Sequence, residues 1–525
     1  MTGTTRAALL VAAIAWGIAG PAAAQELTIG LSGNVTSADP HFHNLSPNSN
    51  VAAHVYDRLV HQDARQRIGP GLAVSWKPID DLTWEFKLRT GVRFHDGSEF
   101  SAEDVVATLK RVPWVPNSPS PFTLYTRSIV ATEVVDSHTI RFRTRSPWPL
   151  LPNDLATVSI VSRKAVEAST GDFNSGKAAI GTGPFRFGEF VPNDRVTLVR
   201  NDSYWGPKPH WQKVTLKLII NDASRTAALL AGDVQMIEAV PTTDLARLKQ
   251  SPQIAVQQIT SNRLIYLAID QARDESPFVA DKAGGKLVPS PLRDLRVRQA
   301  ISKAINRQAI VERIFEGAAI PAGGFLPEGF FGASPKLKPE AFDAEGARRL
   351  LAAAGVPSGF VLTLHGPNDR YPNDDKVLQA IGPMLNRVGI DAKVVSLPWA
   401  TFATQASAPH YAYSVSLLGW GSGTGEVSSP LRALVGTPNA ERGTGAANRG
   451  RFSHPQVDEL TAKAMSTVDD AAREKLLQAA SEVAIGEQGI IPLYYQINTW
   501  ATRKGITYEP RSDEYSLAQF VHPAP

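Results

Sequence analysis

Short stretches of alternating apolar and polar residues recur along the chain, and an alternation of period two is typical of half-buried β-strands. Residues 26–31, 84–89 and 214–220 have this pattern. The clearest case is residues 181–206, GTGPFRFGEFVPNDRVTLVRNDSYWG, where two alternating runs flank the turn-forming residues 191–194. We predict a β-hairpin there.

Apolar positions spaced three and four residues apart predict helices elsewhere. Further helices are predicted over residues 344–354 and over residues 376–388, with a bend at Pro383. The strongest pattern predicts one helix between Asp294 and Gly317, with the apolar positions Val297, Ala300, Ile301, Ala304 and Ile305 on one face.

Predicted strands at 361–364 and 393–397 alternate with those helices, and this order predicts parallel strand pairing and an α/β fold. A short strand at 414–418 is followed by the glycine-rich segment 419–431. After helices within 456–487, a last strand is predicted at 491–495.

Local capping and turn signals complete the prediction. Residues 37–50, SADPHFHNLSPNSN, are rich in turn formers and are predicted to be a loop. Ser101 followed by Asp104 forms a capping-box pattern that predicts the start of a helix. Residues 91–97, GVRFHDG, are predicted to form the turn before that helix, and residues 265–269 to form a strand.

The first 24 residues predict a cleaved secretion signal. Arg6 is their only charged residue, residues 7–20 are apolar, and residues 22–24 provide a small-residue cleavage site before Gln25. We therefore expect an exported protein. The chain has no cysteine, so neither disulfides nor a lipid-modified anchor are expected.

Composition excludes several classes of function. A net charge of +4 over 525 residues, without a basic stripe, argues against nucleic-acid binding. The sequence contains no G-x-S-x-G motif, no cysteine nucleophile and no H-E-x-x-H motif, so it gives no sign of a hydrolase. Residues 171–178, GDFNSGKA, are close to a phosphate-binding loop, but Ala178 lacks the required hydroxyl and no strand precedes the run. His41 and His43 have no evident third ligand, so neither a metal nor another cofactor is expected.

Four motifs together resemble family 5 extracytoplasmic solute-binding proteins, the peptide, nickel and opine receptors of ABC importers. The resemblance covers about residues 26–506. The motifs are GTGP with the later YWG in residues 181–206, LR-x-GVRFHDG before the capped helix, the R-x-x-x-L-x-x-G-D unit at Arg225, and LRDLRVRQAISKAINRQAIVERIFEGAA at 292–319.

This resemblance implies an α/β, two-lobe fold of the type II periplasmic-binding-protein kind, with an extra α+β domain inserted in the first lobe. The implied parts are a signal peptide at 1–24, a first lobe at 25–58, 178–272 and 496–525, an inserted subdomain at 59–177, and a second lobe at 273–495. The crossings between the lobes, and therefore the hinge, are expected near 270–290 and 487–492.

The resemblance also implies a binding site. Residues matching Gly419, Trp420 and Gly421 pair with the solute backbone as an added strand, and residues matching Asn44, Leu45 and Ser46 pair with its other edge. The glycines leave the backbone open to a ligand, and Trp420 offers a broad apolar face. The remaining candidates are Trp399, Phe122, Tyr125, Ser422, Gly423, Glu426 and Arg432.

One position departs from the family pattern. Typical peptide receptors carry an aspartate three residues after this tryptophan, where it binds the free α-amine of the ligand, whereas this chain has Gly423. Either Glu426 replaces that aspartate, or the solute has no free amine there. Arg432 is a candidate partner for a solute carboxylate, with a solvated surface role as the alternative.

We therefore expect a monomeric periplasmic receptor, free of any anchor, that captures a peptide or peptide-like solute by hinge closure. Its partner is expected to be the membrane permease of an ABC importer, and it is not expected to be an enzyme. The alternatives are a receptor of the same fold for an opine, a sugar conjugate, a nickel chelate or haem, and an exported hydrolase.

Overall fold

The computed structural model describes residues 25–439 and 441–524. The predicted signal sequence, residues 1–24, lies outside the described residues. Within the described part of the chain, no helix has the length and apolar character needed to cross a membrane.

The strands of the described residues are, in chain order, β1 (Glu26–Leu31), β2 (Val60–Gln62), β3 (Ile68–Pro70), β4 (Ala73–Asp80), β5 (Thr83–Leu88), β6 (Ile129–Asp136), β7 (Thr139–Thr144), β8 (Phe185–Val191), β9 (Arg195–Arg200), β10 (Lys213–Leu218), β11 (Met236–Glu238), β12 (Ile254–Ile269), β13 (Val279–Ala280), β14 (Ala319–Pro321), β15 (Val361–Pro367), β16 (Asp391–Leu397), β17 (Val415–Gly421), β18 (Ile491–Arg503), β19 (Ile506–Tyr508) and β20 (Val521–Pro523).

The α-helices are α1 (Ser46–Val55), α2 (Ala102–Arg111), α3 (Thr123–Thr126), α4 (Leu151–Leu155), α5 (Thr170–Asn174), α6 (Asp222–Ala231), α7 (Thr242–Gln250), α8 (Leu295–Ala304), α9 (Arg307–Ile314), α10 (Ala344–Ala353), α11 (Asp374–Asn386), α12 (Trp399–Ala406), α13 (Ser428–Pro430), α14 (Pro455–Ala464) and α15 (Asp470–Gly486).

One mixed sheet organises the molecule. Within the described residues it has twelve strands, ten of them in the order β13-β15-β17-β12-β18-β11-β1-β10-β9-β8, with β14 paired to β18 and β16 paired to β15. The predicted parallel pairing of the strands around α11 is confirmed, because β15 and β16 are parallel over seven residue pairs. The predicted hairpin is confirmed as the antiparallel pair β8 and β9.

Two strands are much longer than predicted. β12 has 16 residues and β18 has 13, and they pair antiparallel over most of their length. Side chains that alternate along β12 enter different cores: Ile265 and Leu267 pack on one face of the sheet, and Leu264 and Tyr266 pack on the other. The register of the pair shifts between Thr260 and Leu264.

Two further cores lie away from this region. One packs β1, β8, β9 and β10 against α1 and includes Ile29, Phe185 and Trp500. The other surrounds a separate antiparallel sheet of order β4-β5-β7-β6, where Phe86 and Phe142 are fully buried. This second sheet, together with α2, forms an α+β unit between β1 and the β8–β9 hairpin.

The predicted loop over residues 37–50 is wrong from Ser46 onward, where α1 begins. The pattern was misleading because polar residues of α1 are buried and find partners far away in sequence. Asn48 accepts a hydrogen bond from the Thr36 N–H at 3.1 Å, and Asn50 accepts one from the Ser516 N–H at 3.0 Å.

The single helix predicted between Asp294 and Gly317 is also wrong, because α8 and α9 are separate helices. All five apolar positions of the predicted face are fully buried, so the face was predicted correctly. The break comes from Asn306, whose side chain accepts a hydrogen bond from the Ala309 N–H at 2.9 Å and so starts a second helix.

Two of the sequence motifs make buried structural contacts: the YWG segment binds Asp57, and the turn motif at His95 contacts the GTGP segment. The buried carboxylate of Asp57 accepts hydrogen bonds from Trp205 Nε1 at 2.8 Å and from Tyr204 Oη at 3.1 Å. His95 lies against the GTGP segment, with Nε2 3.0 Å from the Gly183 carbonyl and its backbone N–H bonded to the Gly181 carbonyl. The histidine therefore has the structural role that the turn motif predicts.

Candidate functional site

The glycine-rich segment after residue 414 begins as a strand and not as a loop. β17 continues through Gly421 and pairs antiparallel with β12, with Trp420 opposite Leu264. On its other edge β17 pairs with β15 only at Val415 and Ser416. Among the described residues, the edge from Leu417 to Gly421 therefore has no strand partner.

A cleft of about 400 Å³ lies beside the end of β17. Its lining combines residues that are far apart in sequence, from the start of α1, from the α+β unit, from β12, from β17 and the segment after it, and from the C-terminal part of the chain. Of the predicted site residues, the cleft brings together Asn44, Ser46, Phe122, Tyr125, Trp420, Gly421, Gly423 and Arg432.

Other predicted site residues do not line this cleft. Leu45 precedes α1, and the Gly419 carbonyl accepts a hydrogen bond from Tyr371 Oη at 3.3 Å. Trp399 packs edge-to-face on Tyr371 with ring centroids 6.0 Å apart. Ser422 is fully buried and donates its hydroxyl to the carbonyl of Glu426 at 2.9 Å.

Glu426 is placed differently from the prediction that it replaces the family aspartate. Its side chain is buried, and both carboxylate oxygens accept hydrogen bonds from Arg473 Nη1, at 2.8 and 2.9 Å. Ser428 also donates its hydroxyl to this carboxylate. Because the carboxylate is already neutralised and sealed from the cleft, it is not available to a ligand amine in this structure.

Position 423 faces a tyrosine. A Cβ placed on Gly423 would lie 3.3 Å from Tyr125 Oη, and that hydroxyl accepts a hydrogen bond from Asn44 Nδ2 at 3.2 Å. Burial raises the pKa of Tyr125 to about 12, so the phenol is neutral. The place where the family aspartate is expected therefore holds no negative charge.

Three amide side chains hold the backbone of residues 422–424 by direct hydrogen bonds. Gln66 Nε2 donates to the Ser422 carbonyl at 3.1 Å, and Gln62 Nε2 donates to the Gly423 carbonyl at 3.3 Å. Asn153 Nδ2 donates to the Thr424 carbonyl at 3.2 Å. These contacts join the β2–β3 hairpin and α4 directly to the segment after β17.

Several lining residues were missed by the sequence analysis. They are Arg58, Gln62, Gln66, Arg127, Trp148, Asp154, Asn262, Arg263, Asp513, Glu514 and Tyr515. None belongs to a motif, and the C-terminal three are brought to the cleft only because β18 returns the chain across the sheet. No local pattern could have identified them.

A second cavity, of about 430 Å³, lies under the segment that follows β14. Its lining is rich in glycine, proline and apolar side chains, with Phe325 and Tyr495 among them. Tyr495 Oη is within hydrogen-bond distance of the Gly324 and Leu326 carbonyls, to which the hydroxyl can donate, at 2.9 and 3.0 Å. None of the predicted site residues lines this cavity, whereas eight of them line the cleft beside β17, and we regard that cleft as the stronger candidate site.

Comparison with known proteins agrees with these observations. A family model for bacterial extracellular solute-binding proteins, family 5 middle, matches residues 67–442. The glutathione-binding protein GsiB of Escherichia coli O1:K1 / APEC is 29% identical over 492 residues, which is 92% of each chain.

Solved structures match over nearly the whole chain. The ABC transporter-associated periplasmic binding protein DppA from Helicobacter pylori, in complex with the peptide STSA, has 25% identity and a TM-score of 0.76, covering 95% of this chain and 98% of that one. HbpA2 from Haemophilus parasuis has 24% identity and a TM-score of 0.81, covering 95% and 100%.

The predicted α/β, two-lobe fold with an extra α+β unit is confirmed by these structural likenesses. The family model covers more than half of the chain, and the relatives match it along almost its full length. The chain therefore belongs to family 5 of the bacterial extracellular solute-binding proteins.

Proposed function

We propose that this protein is a periplasmic receptor that captures a peptide or peptide-like solute and delivers it to the permease of an ABC importer, without catalysing a reaction itself. The proposal is supported by relatives whose names record glutathione binding and by a structural neighbour that holds a tetrapeptide. Cleavage of the signal at residues 1–24 would release it without an anchor.

The observation that carries this function is the free edge of β17. From Leu417 to Gly421 the strand pairs with β12 on one side, and among the described residues it has no strand partner on the other. The last two of these residues, Trp420 and Gly421, line the cleft. Asn44 and Ser46 line the same cleft. An extended peptide could add to this edge as a strand, with Trp420 packing on it.

A solute that contacts both lobes would stabilise the closed form over the open form, and capture would follow from that difference. We keep the division into lobes and inserted subdomain implied by the family resemblance, but we place the hinge at the register shift between Thr260 and Leu264. The first hinge position expected from sequence, near Asp270, is a poor candidate. Its buried carboxylate is held by Arg273 and Arg451, each at 2.6 Å.

The test is ligand-induced thermal stabilisation, measured with a library of peptides and with solutes extracted from the native periplasm. Wild-type protein is expected to gain thermal stability with at least one peptide. Trp420→Ala removes the packing face and Gly421→Val obstructs the strand edge, so both variants should lose that gain while remaining folded.

Trp114→Ala is the matched control, since Trp114 is 82% exposed and does not line the cleft. Stabilisation that persists in both cleft variants would contradict the site. Stabilisation only by a non-peptide solute, such as an opine or a metal chelate, would contradict the solute class.

A further inference from the structure

Among the charged side chains that line the cleft, some arginines have no carboxylate partner, whereas most of the carboxylates are paired with an arginine. Two of the cleft carboxylates are already paired: Arg263 holds Glu514 through two nitrogens, at 2.9 and 3.0 Å, and Arg511 holds Asp513 at 2.6 Å. Neither acid is therefore free to bind a cation from a ligand.

Arg432 and Arg127 have no such partners. Among the described residues, neither guanidinium lies within 4 Å of a carboxylate oxygen, and neither donates a hydrogen bond to the protein. Arg432 is half-buried, with its guanidinium 5.1 Å from the ring centroid of Trp148, while Arg127 lies at the exposed rim. Burial and the nearby charge of Arg127 lower the pKa of Arg432.

A third arginine adds to this positive surface. Arg58 lines the cleft and donates from Nη1 to the Ala156 carbonyl at 3.0 Å, but its Nε is buried without an acceptor. Arg432, by contrast, lies over the Trp148 ring. A guanidinium that stacks on an aromatic ring keeps its in-plane N–H groups free, and these match the two oxygens of a carboxylate.

The one remaining acid of the lining is Asp154. Burial raises the pKa of its carboxyl to about 7, although the hydrogen bond from Trp148 Nε1, at 2.7 Å, and the charge of Arg432 both act to lower it. Near neutral pH this acid is therefore only partly charged. It is a weak partner for a ligand ammonium, and position 423, opposite Tyr125, offers no acid at all.

We propose that the cleft selects acidic peptide-like solutes that have no free amine facing Gly423, and that Arg432, assisted by Arg127, binds a carboxylate of the solute. This specificity rests on the proposed function, since it concerns the same cleft. Arg432 and the Gly423–Tyr125 contact are its specificity-determining features.

Isothermal titration calorimetry with three synthetic probes tests this specificity. All three carry an amidated C-terminus, so that the Glu side chain is the one carboxylate tested: N-acetyl-Ala-Glu-Ala amide, the same peptide with a free amine, and N-acetyl-Ala-Gln-Ala amide. The acetylated acidic probe is expected to bind about tenfold tighter than either of the others, because a buried ammonium or a missing carboxylate leaves charges unpaired.

If the free-amine probe binds as tightly as its acetylated form, the specificity is overturned and the receptor function stands. If none of the three probes binds although a peptide of the library stabilises the protein, the specificity is overturned and the receptor function stands. If no peptide of the library stabilises it either, the peptide-receptor function is overturned as well.

Variants identify the residue responsible. Arg432→Gln should weaken the acetylated acidic probe about tenfold and leave the acetylated Gln probe unchanged, and Arg432→Lys should be intermediate because it keeps the charge without the planar fork. Asp154→Asn removes the competing acid and should tighten the acidic probe.

Arg442→Gln is the matched control, because Arg442 is exposed and lies outside the cleft lining. This variant should change the affinity for neither the acetylated acidic probe nor the acetylated Gln probe. Equal weakening of both acetylated probes by Arg432→Gln, with an unchanged circular dichroism spectrum, would overturn the role of Arg432.

Discussion

Arg473 holds Glu426 with a single guanidinium nitrogen, Nη1, which lies 2.8 and 2.9 Å from the two carboxylate oxygens. Both side chains are buried, and the guanidinium also lies over the Phe331 ring, 4.3 Å from its centroid. This pair anchors the segment after β17, which carries the cleft residues Gly423 and Ser429, to α15.

Breaking this pair should destabilise the protein. Glu426→Gln leaves the buried charge of Arg473 without its buried partner, and we expect a loss of about 3–5 kcal/mol in the free energy of unfolding, measured by urea denaturation. Asp470→Asn is the control: Asp470 also pairs with Arg473, at 2.9 Å, but is exposed, so about 1 kcal/mol or less is expected. A stable Glu426→Gln protein that has lost solute binding would instead make Glu426 a ligand contact.

The YWG motif should be structural. Trp205→Phe removes the indole N–H that donates to the buried Asp57 at 2.8 Å, and an acceptor left short of a partner costs about 1–3 kcal/mol. Trp114→Phe makes the same chemical change on an exposed residue and should be nearly neutral. Equal unfolding midpoints for the two variants would refute the role of the Asp57–Trp205 bond.

His54 should make stability depend on pH. Its Nδ1 is 2.8 Å from the Asn50 carbonyl and its Nε2 is 2.9 Å from the Ala518 N–H, so the folded protein requires the neutral ring. Burial lowers the pKa of His54 to about 4. Because the unfolded histidine titrates near 6.5, the unfolded state binds more protons between those values.

The contribution of His54 is therefore fully present above pH 6.5 and is lost as the pH falls to about 4, by about 3 kcal/mol at most. Urea unfolding at pH 7.5 and pH 5 measures the difference. His54→Gln should reduce the pH dependence, whereas His522→Gln, at an exposed histidine, should retain the wild-type slope. Identical slopes for both variants would contradict the assignment.

Two glycines of β17 should respond differently to alanine. A Cβ on Gly419 would lie 2.7 Å from both Ile265 Cδ1 and Tyr371 Cε1, so Gly419→Ala should destabilise the fold by about 1–3 kcal/mol through overpacking. On Gly421 the closest atoms are 3.3 Å away, at the ends of Arg263 and Asn262. Thermal melts should show a smaller loss for Gly421→Ala, and the reverse order would contradict the packing described for Gly419.

Elements with a strong local period were predicted well. The β8–β9 hairpin, the capping box at Ser101 and Asp104, and the buried face of α8 all follow from residues within a few positions of one another. The failures have a common cause. The turn-forming composition of residues 37–50 predicts a loop, but Asn48 and Asn50 satisfy polar groups with Thr36 and Ser516, which no local pattern reveals, and α1 forms.

In the cleft, too, some features could be predicted from the sequence and others depend on distant contacts. Asn44 and Trp420, which the family resemblance assigns to opposite edges of the solute, both line the cleft, but their contact with a solute remains a prediction. The partner of Glu426 could not be predicted from the sequence, because Arg473 is 47 positions away on α15 and nothing in either segment specifies the other.

By itself the sequence determined the class of fold, the family and the order of the main elements, because alternation, capping and motif spacing act over short distances along the chain. Only the tertiary structure decided which charges are free. It pairs Glu514 with Arg263 and Glu426 with Arg473, and it leaves Arg432 stacked on Trp148 without a carboxylate. The charge of a cleft depends on contacts between residues far apart in the sequence, and folding alone brings them together.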